Sequence, residues 1–423
     1  MMKVLIVNTS ERTGGAAVAT NRLKDALNNN GIEANMLVRD KLSDDTTVFT
    51  IKNGWRTQWN KLWERWCIFW HLHFSKRNLF AIDIANAGTD ITQLQAFKDA
   101  DVVHLAWINQ GMLSLKGIEK ILKTGKPLVW TMHDIWPATA VCHITLDCRQ
   151  FETQCKDCRL LPSGIGRNLA RRTWKRKEAI ERRSHIIYIT CSKWLQGEAK
   201  RSTLIGQNPI ECIPNPIDTS VFCKADKAEA RRKLGLPTDK RLILFASQRV
   251  TNQNKGMGYL VDACRKMVEQ HPETLANTAV VVLGGHAEDL RENFDLPMFP
   301  LGYVSDMKQI VDVYNAIDVF VLPSLSDNLP NTIMEAMACG VPCVGFEVGG
   351  IPEMIDHEHN GYVVKMKDSA DLAYGINWVL NVADYGKLSA NAVEKVKLCY
   401  SQTRVATQYI DIYKRAVAYS KNK

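Results

Sequence analysis

Short apolar runs alternate with helix-like patterns along the whole chain. In the first half, the runs cover residues 3–8, 100–106, 127–132, 186–191 and 210–214. After the first run, apolar residues from Ala16 to Leu27 recur at the three- and four-residue spacing of a helix. Because strands separated by helices pair in parallel, this half predicts a doubly wound parallel sheet of the α/β class.

The second half repeats this alternation. Its apolar runs cover residues 241–247, 279–284, 318–322 and 342–346. A chain of 423 residues is too long to fold around one ordinary hydrophobic core. We therefore predict an N-terminal domain over 1–214, a C-terminal domain over 215–400 and a final helix over 401–423. The Lys-, Asp- and Ala-rich stretch 215–238 is expected to be a linker region.

Composition narrows the class of protein. The apolar share of 46% and the charged share of 23% are those of a globular protein. No apolar run reaches the roughly 20 residues that span a bilayer, and the first run is too short for a signal-peptide core. Twelve cysteines then favour thiols or a metal site over a disulfide framework. These features predict a cytoplasmic protein.

The net charge of +9 is concentrated in one segment, residues 164–183, which holds eight Lys/Arg and two Glu. A basic helix of this kind favours anionic surfaces such as phospholipid headgroups, pyrophosphate-bearing lipids or nucleic acid. The alternative, a solvated helix face, stays open.

Two carboxylates mark the strongest candidate site. The run 318–322 breaks at Pro323 into a polar loop with Asp327, and a helix opening near Asn331 carries Glu335 one turn later. Open α/β sheets bind ligands at the carboxyl ends of their strands, and helix N-termini favour anions. The arrangement suits a ligand with both hydroxyls and phosphates, such as a nucleotide sugar.

Three further strand ends carry candidate residues. Arg249 and Lys255 follow the run 241–247, and such a pair can clamp a diphosphate. Gly14 and Gly15 follow the first run without forming the G-x-G-x-x-G of a dinucleotide-binding domain. His133 follows the run 127–132, where a side chain can contact substrate.

Four cysteines lie within seventeen residues: Cys142, Cys148, Cys155 and Cys158. Their spacing is compatible with a closed tetrahedral zinc site, which would be structural because it leaves no open position. His143 is an alternative ligand. Disulfides and free thiols remain the other two interpretations of this insert, residues 142–158.

Residues 55–74 are unusually aromatic. Trp55, Trp59, Trp63, Trp66 and Trp70 recur at helical spacing, with basic residues among them. Such helices suit membrane interfaces. An acceptor-site wall and an ordinary core helix are the two alternatives.

Several of these motifs together resemble glycosyltransferase family 4, of the kind found in bacterial surface polysaccharide biosynthesis. The motifs are Arg249…Lys255-Gly256, Asp327-x7-Glu335, Gly349-Gly350-Ile-Pro-Glu353 and Asn215-Pro-Ile-Asp218. The resemblance implies a retaining enzyme without a catalytic metal. It also implies the GT-B fold, in which two doubly wound Rossmann-like domains face each other across a cleft. The N-terminal domain would then be the acceptor side, and the last helix would cross back to it.

The resemblance also implies roles on the donor side. Arg249 and Lys255 would hold the donor diphosphate, and Glu335 would accept hydrogen bonds from the ribose hydroxyls. Backbone N–H groups near Asn331 and Thr332 would face the phosphates.

Four more roles follow from the resemblance. Gly14 and Gly15 would lie beneath donor and acceptor, and His133 would orient their hydroxyls. Asp327 stands where the family usually has Glu and would lie beside the transferred sugar, so donor sugar identity depends on this departure.

The sequence thus predicts a hexosyltransferase-type enzyme that moves a sugar from a UDP- or GDP-sugar to a lipid-linked or oligosaccharide acceptor. It is expected to work as a peripheral protein on an anionic membrane surface, at the inner face of the cell membrane, without binding nucleic acid. The alternatives are a GT-B nucleotide-sugar 2-epimerase and a zinc-containing nucleic-acid-binding protein.

Overall fold

The computed structural model describes residues 1–51, 54–162 and 165–421, so Gly164 of the basic segment and residues 422–423 of the final helix lie outside the described residues. The chain divides into two compact units. The first comprises Met1–Pro216 together with Val405–Lys423, and the second comprises Ile217–Arg404.

The first unit is built on a seven-stranded parallel sheet with the order β3-β2-β1-β4-β5-β6-β7. Its strands are β1 (Lys3–Ser10), β2 (Glu33–Asp40), β3 (Val48–Thr50), β4 (Val102–Leu105), β5 (Leu128–Met132), β6 (Ile187–Thr190) and β7 (Ile210–Cys212). The connecting helices are α1 (Gly15–Asn28), α2 (Gly54–His71), α3 (Gln95–Asp99), α4 (Leu115–Lys123), α5 (Ile165–Glu181) and α6 (Lys193–Arg201).

The second unit has a six-stranded parallel sheet with the order β10-β9-β8-β11-β12-β13. Its strands are β8 (Arg241–Arg249), β9 (Thr278–Gly285), β10 (Met298–Gly302), β11 (Val319–Leu322), β12 (Cys343–Phe346) and β13 (Gly361–Val364). Its helices are α7 (Lys227–Leu234), α8 (Met257–Gln270), α9 (Thr274–Asn277), α10 (Met307–Ala316), α11 (Asn331–Ala338), α12 (Ile351–Met354), α13 (Ser369–Asn377) and α14 (Tyr385–Cys399), and α15 (Gln402–Lys421) ends the described chain.

Shorter helical turns interrupt the loops. They are the 3-10 turns Trp136–Ala138, Gln150–Glu152, Gln253–Lys255 and Glu288–Asn293, and the π-helical turn Trp378–Val382. Both sheets have the strand order of a doubly wound fold, which confirms the predicted α/β class. In each sheet the order reverses beside the first strand of the unit, between β1 and β4 and between β8 and β11. Ligands of such sheets bind at these reversal points, outside the carboxyl ends of the strands.

The final helix contributes to the core of the first unit. Val405, Tyr409, Ile412 and Ala416 are buried together with strand residues such as Val4 and Ile6. Two buried hydrogen bonds fix the register of α15, from His104 Nδ1 to Tyr413 Oη at 2.7 Å and between Thr131 Oγ1 and Tyr409 Oη at 3.0 Å.

The expected linker over residues 215–238 is wrong in part, because it contains α7. Asp226 caps this helix by accepting a hydrogen bond from the Glu229 backbone N–H at 2.7 Å. Arg231 is buried and donates to Asp318 at the start of β11, with 2.6 Å between Nη2 and Oδ2. Composition alone predicted a linker over residues 215–238, whereas a buried ion pair attaches this segment to the second sheet.

The core-helix interpretation of the aromatic segment is also wrong. All five tryptophans of α2 are exposed, and the residues that the helix buries are Thr57, Glu64, Arg65 and Ile68. Among the described residues, no helix is long and apolar enough to cross a membrane.

Candidate functional site

The loops after β8 and β11 are held together by backbone contacts. The two strands are paired neighbours at the reversal point of the second sheet. The Leu325 backbone N–H donates to the Asn254 carbonyl at 2.8 Å, and Asn254 Nδ2 donates to the Ser326 carbonyl at 2.9 Å. These bonds bring the segment with Lys255 beside the segment with Asp327.

Two glycines allow this close approach. Gly256 has a φ of 74°, and a Cβ there would lie 1.8 Å from the Pro323 carbonyl oxygen. Gly349 has a φ of 58°, and a Cβ there would lie 1.6 Å from the Asp327 carbonyl oxygen. Any side chain at either position would therefore displace the backbone of the Asp327 loop.

Lys255 and Asp327 form an ion pair, with 2.7 Å between Nζ and Oδ2. The exposed fractions of the two side chains are 26% and 16%, so a ligand can reach both. Arg249 ends β8, and its side chain is exposed. The structure thus brings Lys255 and Asp327 together and places Arg249 on the same strand-to-loop connection.

Glu335 lies one turn into α11, as predicted, and its side chain is almost entirely buried. Tyr314 Oη donates a hydrogen bond to Glu335 Oε2 at 2.8 Å. Asn331 and Thr332 form the first turn of α11, which follows Pro330 without a side-chain cap. The dipoles of a helix start favour an anion there.

In the first unit, the helix that follows the Gly14-Gly15 turn contacts His133. Gly14 has a φ of 92° and precedes α1, in which Gly15 is the first residue. One turn later, Thr20 Oγ1 lies 3.2 Å from His133 Nε2. On the other side of the ring, Cys191 Sγ lies 3.5 Å from His133 Nδ1. Burial lowers the pKa of His133 to about 4, so the imidazole is neutral near pH 7.

A chain of hydrogen-bonded titratable side chains, buried at Asp83 and partly buried at His143 and Asp134, lies next to His133. Asp134 Oδ2 accepts hydrogen bonds from Trp107 Nε1 at 2.9 Å and from His143 Nδ1 at 2.8 Å. The other ring nitrogen, His143 Nε2, lies 2.6 Å from Asp83 Oδ2, and Asp83 also binds Arg65. Both ring nitrogens of His143 therefore lie within hydrogen-bond distance of a carboxylate oxygen.

This chain keeps Asp134 ionised. Burial opposes its ionisation, but the charge and hydrogen bond of His143 outweigh burial and lower the pKa of Asp134. Asp134 also accepts the Trp136 backbone N–H at 2.8 Å, which fixes the turn immediately after His133.

Two family models match the chain. One, described as Glycosyltransferase Family 4, matches residues 13–221 and includes the Gly14-Gly15 turn and His133. The other, described as Glycosyl transferases group 1, matches residues 240–382 and includes Lys255, Asp327 and Glu335. The chain belongs to glycosyltransferase family 4.

Curated relatives of this family-4 chain match over part of their length. An uncharacterized glycosyltransferase of Methanocaldococcus jannaschii is 32% identical over 54% of this chain and 60% of its own. D-inositol 3-phosphate glycosyltransferase 2 of Catenulispora acidiphila is 29% identical over 51% of this chain and 53% of its own. The matched part thus spans between half and three fifths of these relatives.

Solved structures match the fold of the family-4 chain over nearly its whole length. Sucrose-phosphate synthase of Thermosynechococcus elongatus has a TM-score of 0.67 at 19% identity and covers 99% of this chain and 100% of its own. Anabaena Alr3699/HepE in complex with UDP and glucose has a TM-score of 0.65 at 16% identity and covers 98% and 100%. These likenesses, with the two Rossmann-like units, confirm the predicted GT-B fold class.

The four clustered cysteines form no disulfide, and neither do the other eight. Burial raises the pKa of Cys142 to about 12 and that of Cys155 to about 11, and the neighbouring cysteines add to both shifts. His143 is occupied by Asp83 and Asp134. Within the ranges that the structure describes, no three His, Cys, Asp or Glu side chains are gathered so that they could hold a metal ion. The structural zinc site therefore stays a prediction.

Sequence reasoning missed several residues that support the candidate side chains. Tyr314 binds Glu335, Asn254 joins the two loops, and Thr20 contacts His133. Each is an ordinary polar or aromatic residue of a helix or turn, and the sequence carried no signal for its partner. Sequence reasoning also missed Asp134, although this residue directly follows His133 at the same strand end and could have been found there.

Proposed function

We propose that this chain is a retaining glycosyltransferase that moves a sugar from a UDP- or GDP-sugar to a hydroxyl of a lipid-linked or oligosaccharide acceptor. The observation that carries the proposal is the group formed by Lys255, Asp327 and Glu335 at the reversal point of the second sheet. It combines a cation, a carboxylate that a ligand can reach and a buried carboxylate at a helix start, which are the groups that a diphosphate and its flanking hydroxyls require.

The donor would be held at both ends of its diphosphate. Lys255 and Arg249 offset the phosphate charge, and the first turn of α11 adds its dipole. Glu335, which Tyr314 already fixes, accepts hydrogen bonds from the ribose. Asp327 accepts them from the transferred sugar. The Anabaena structure with UDP and glucose supports a nucleotide-sugar donor for this fold.

In the proposed reaction, the bond from the sugar C1 to the diphosphate oxygen breaks, and the nucleotide diphosphate leaves with the electron pair. The acceptor oxygen bonds to C1 on the face that the diphosphate leaves, and its proton passes to the departing phosphate oxygen. Lys255 and Arg249 stabilise the charge that develops on the leaving group. Neutral His133 orients hydroxyls rather than removing the proton, which agrees with its low pKa.

We propose that the enzyme acts as a peripheral protein at the inner face of the cell membrane, on a lipid-linked acceptor. Support comes from the first unit, where α2 and the basic helix α5 are in contact. Arg171, Arg172, Lys175 and Arg176 of α5 are exposed cations. They favour the anionic headgroups beside which such an acceptor would lie.

A panel of nucleotide sugars tests the proposal. Thermal denaturation with each compound identifies the donor, because a ligand that binds only the folded chain raises the midpoint. The radiolabelled donor is then incubated with and without a polyprenyl-pyrophosphate saccharide. Labelled lipid product supports transfer, and its anomeric configuration, read by nuclear magnetic resonance, decides retention.

The same incubation distinguishes the proposed transferase from a nucleotide-sugar 2-epimerase. A 2-epimerase would convert the nucleotide sugar, or release a free epimerised sugar, without any acceptor and without labelled lipid. That result would refute the proposed transferase but not the proposed nucleotide-sugar site.

A further inference from the structure

Helix α2 carries a continuous aromatic stripe on its outer side. Its large side chains are between 46% and 77% exposed: Trp55, Trp59, Leu62, Trp63, Trp66, Trp70 and, just beyond the helix, Phe74. Their spacing places them on one face of a helix. Scattered exposed apolar residues are normal in proteins, but a contiguous row of this size marks an interaction surface.

The backbone after α2 extends this stripe. His73 and Phe74 adopt positive φ values of 52° and 62°, a conformation that residues other than glycine rarely take. The turn lays the Phe74 ring edge-on against Trp70 at 5.2 Å and against Trp66 at 6.4 Å, measured between ring centroids. The chain thus accepts an unfavourable turn that keeps Phe74 on the outer surface instead of in the core.

Polar groups, not the tryptophans, attach α2 to the first unit. Glu64 Oε1 accepts the backbone N–H groups of Ile84 at 3.0 Å and Ala85 at 2.6 Å. Arg65 Nη1 donates to the Leu79 carbonyl at 2.6 Å, and the same guanidinium binds buried Asp83. A helix held this way does not need its aromatic face for its own packing, so that face is available to a partner.

We propose that the outer face of α2 docks this protein on an anionic bilayer by inserting its tryptophan rings at the level of the headgroups. Tryptophan prefers this interface, where its apolar body is buried and its N–H stays hydrated. The helix lies in the plane of the membrane, since its opposite face is fixed to the protein by Glu64 and Arg65. The choice of a membrane as partner rests on the proposed function.

The charges around the stripe distinguish a bilayer from a second copy of the chain. Arg56, Lys76 and Arg77 are exposed beside it, and α5 adds further cations. The single acidic residue of α2, Glu64, is buried. A symmetric pair of such faces would bring cations together, which opposes association. Anionic headgroups meet the same cations favourably, and each Lys or Arg adds to binding at low salt.

Vesicle binding of the full chain tests the proposal. The variant Trp59→Ser/Trp63→Ser/Trp66→Ser removes the middle of the stripe. The matched control, Tyr303→Ser/Val382→Ser/Leu398→Ser, removes three apolar side chains of the second unit with exposed fractions of 65%, 65% and 64%. Each protein is sedimented with vesicles of equal parts phosphatidylcholine and phosphatidylglycerol and, separately, with pure phosphatidylcholine vesicles.

The wild type and the control are expected to bind the anionic vesicles, with tryptophan fluorescence that shifts to the blue and is quenched by brominated lipid. The tryptophan variant should lose about 30-fold or more in partition coefficient, in proportion to the apolar area removed. Because the substituted side chains are exposed, its thermal midpoint should match that of the wild type.

Three outcomes would overturn the proposal: unchanged vesicle binding of the tryptophan variant, no binding of the wild type, or a wild-type dimer that the same substitutions dissociate. Donor binding is measured in parallel by thermal shift with the nucleotide sugars. If all three proteins keep their donor shift while vesicle binding fails, the docking surface is refuted and the proposed transferase stands. If no nucleotide sugar raises the thermal midpoint while vesicle binding holds, the proposed transferase is refuted and the docking surface stands.

Discussion

The carboxyl edges of the two sheets are organised by different means. In the second unit, backbone comes within contact distance of backbone, at Gly256 beside Pro323 and at Gly349 beside Asp327. In the first unit, hydrogen bonds between partly buried side chains fix the turn after β5, through His143 and Asp134. Main-chain packing allows almost no adjustment, whereas a charge network holds its shape only while every member is present.

This difference between backbone packing and a side-chain network agrees with the separate roles proposed for the two edges. A donor diphosphate needs fixed dipoles and cations, which close-packed loops supply. The first unit instead connects the turn at His133 to the helix with the exposed tryptophans, because Arg65 of α2 binds Asp83 and Asp83 binds His143. The two edges can therefore be disrupted separately.

The largest effect is expected at Lys255. Lys255→Ala should lower kcat/KM for sugar transfer on the order of a thousandfold, because it removes the cation that offsets the leaving diphosphate and leaves Asp327 without its partner. Steady-state kinetics with the identified donor measure the loss. Lys308→Ala, at an exposed lysine of α10, is the matched control and should behave as the wild type. Equal rates for the two variants would remove Lys255 from the site.

A substitution in the charge network of the first unit should lower the stability of the protein rather than weaken donor binding. His143→Gln removes the imidazole between Asp83 and Asp134 and leaves the two carboxylates facing each other, which is expected to lower the free energy of unfolding by about 4 kcal/mol. Urea denaturation measures this loss. Adding Asp134→Asn should restore part of it, since the second of the two facing carboxylates is then neutral while Asp83 keeps its partner Arg65. No recovery in the double variant would show that His143 acts through packing against Trp107 instead.

Gly349 tests whether backbone approach, and not side-chain chemistry, builds the second edge. Gly349→Ala should lower kcat/KM about a hundredfold, because the new Cβ displaces the Asp327 carbonyl and with it the carboxylate. Gly258→Ala is the control, since a Cβ there meets nothing within 4 Å. If Gly349→Ala is fully active, the Asp327 loop can move away from the new Cβ, and close backbone approach is not needed to build this edge.

The same contrast explains how far the sequence alone could lead. At the second edge, Lys255 and Asp327 could be placed from the sequence because each follows an apolar run, whereas Gly256 and Gly349 were noted only as parts of the motifs that resemble the family. The first edge was foreseen only at Gly14, Gly15 and His133. Arg65, Asp83 and His143 come from three separate stretches of chain, and only the folded sheet brings them together.

The aromatic helix shows another limit. Its periodicity predicted a helix, which α2 confirms, but periodicity does not tell which face is buried. The usual rule places tryptophan inside. Here buried Glu64 and Arg65 find backbone and carboxylate partners that the sequence could not reveal, and the aromatic face therefore lies outside.

Acid should weaken the first unit through its buried neutral histidines. Burial lowers the pKa of His104 to about 3 and that of His133 to about 4, against an ordinary value of 6.5. Below pH 6.5 the unfolded chain takes up protons that the folded chain does not, so stability falls as the pH falls and stops falling near the folded pKa values. For His104 the loss between pH 6.5 and 5 is about 2 kcal/mol.

Urea denaturation across this pH range measures the loss, and His104→Gln should flatten the dependence while keeping polar contacts to Tyr413 and Thr131. An unchanged pH slope in that variant would assign the acid sensitivity to other groups.

The smallest expected effect concerns Asp327, the residue that departs from the usual Glu of the family. Asp327 Oδ2 lies 2.7 Å from Lys255 Nζ, and this pairing fixes how far the carboxylate extends into the proposed donor site. Asp327→Glu lengthens that reach by one methylene and should change the preference between two donors that differ at a single sugar hydroxyl by about tenfold. Binding of the free nucleotide diphosphate should stay unchanged, since Lys255 and Glu335 remain. Asp327→Asn keeps the length but removes the charge, and it should weaken all donors alike. If Asp327→Asn shifts the donor preference and Asp327→Glu does not, charge and not reach selects the sugar, and the departure from Glu carries no information about the donor.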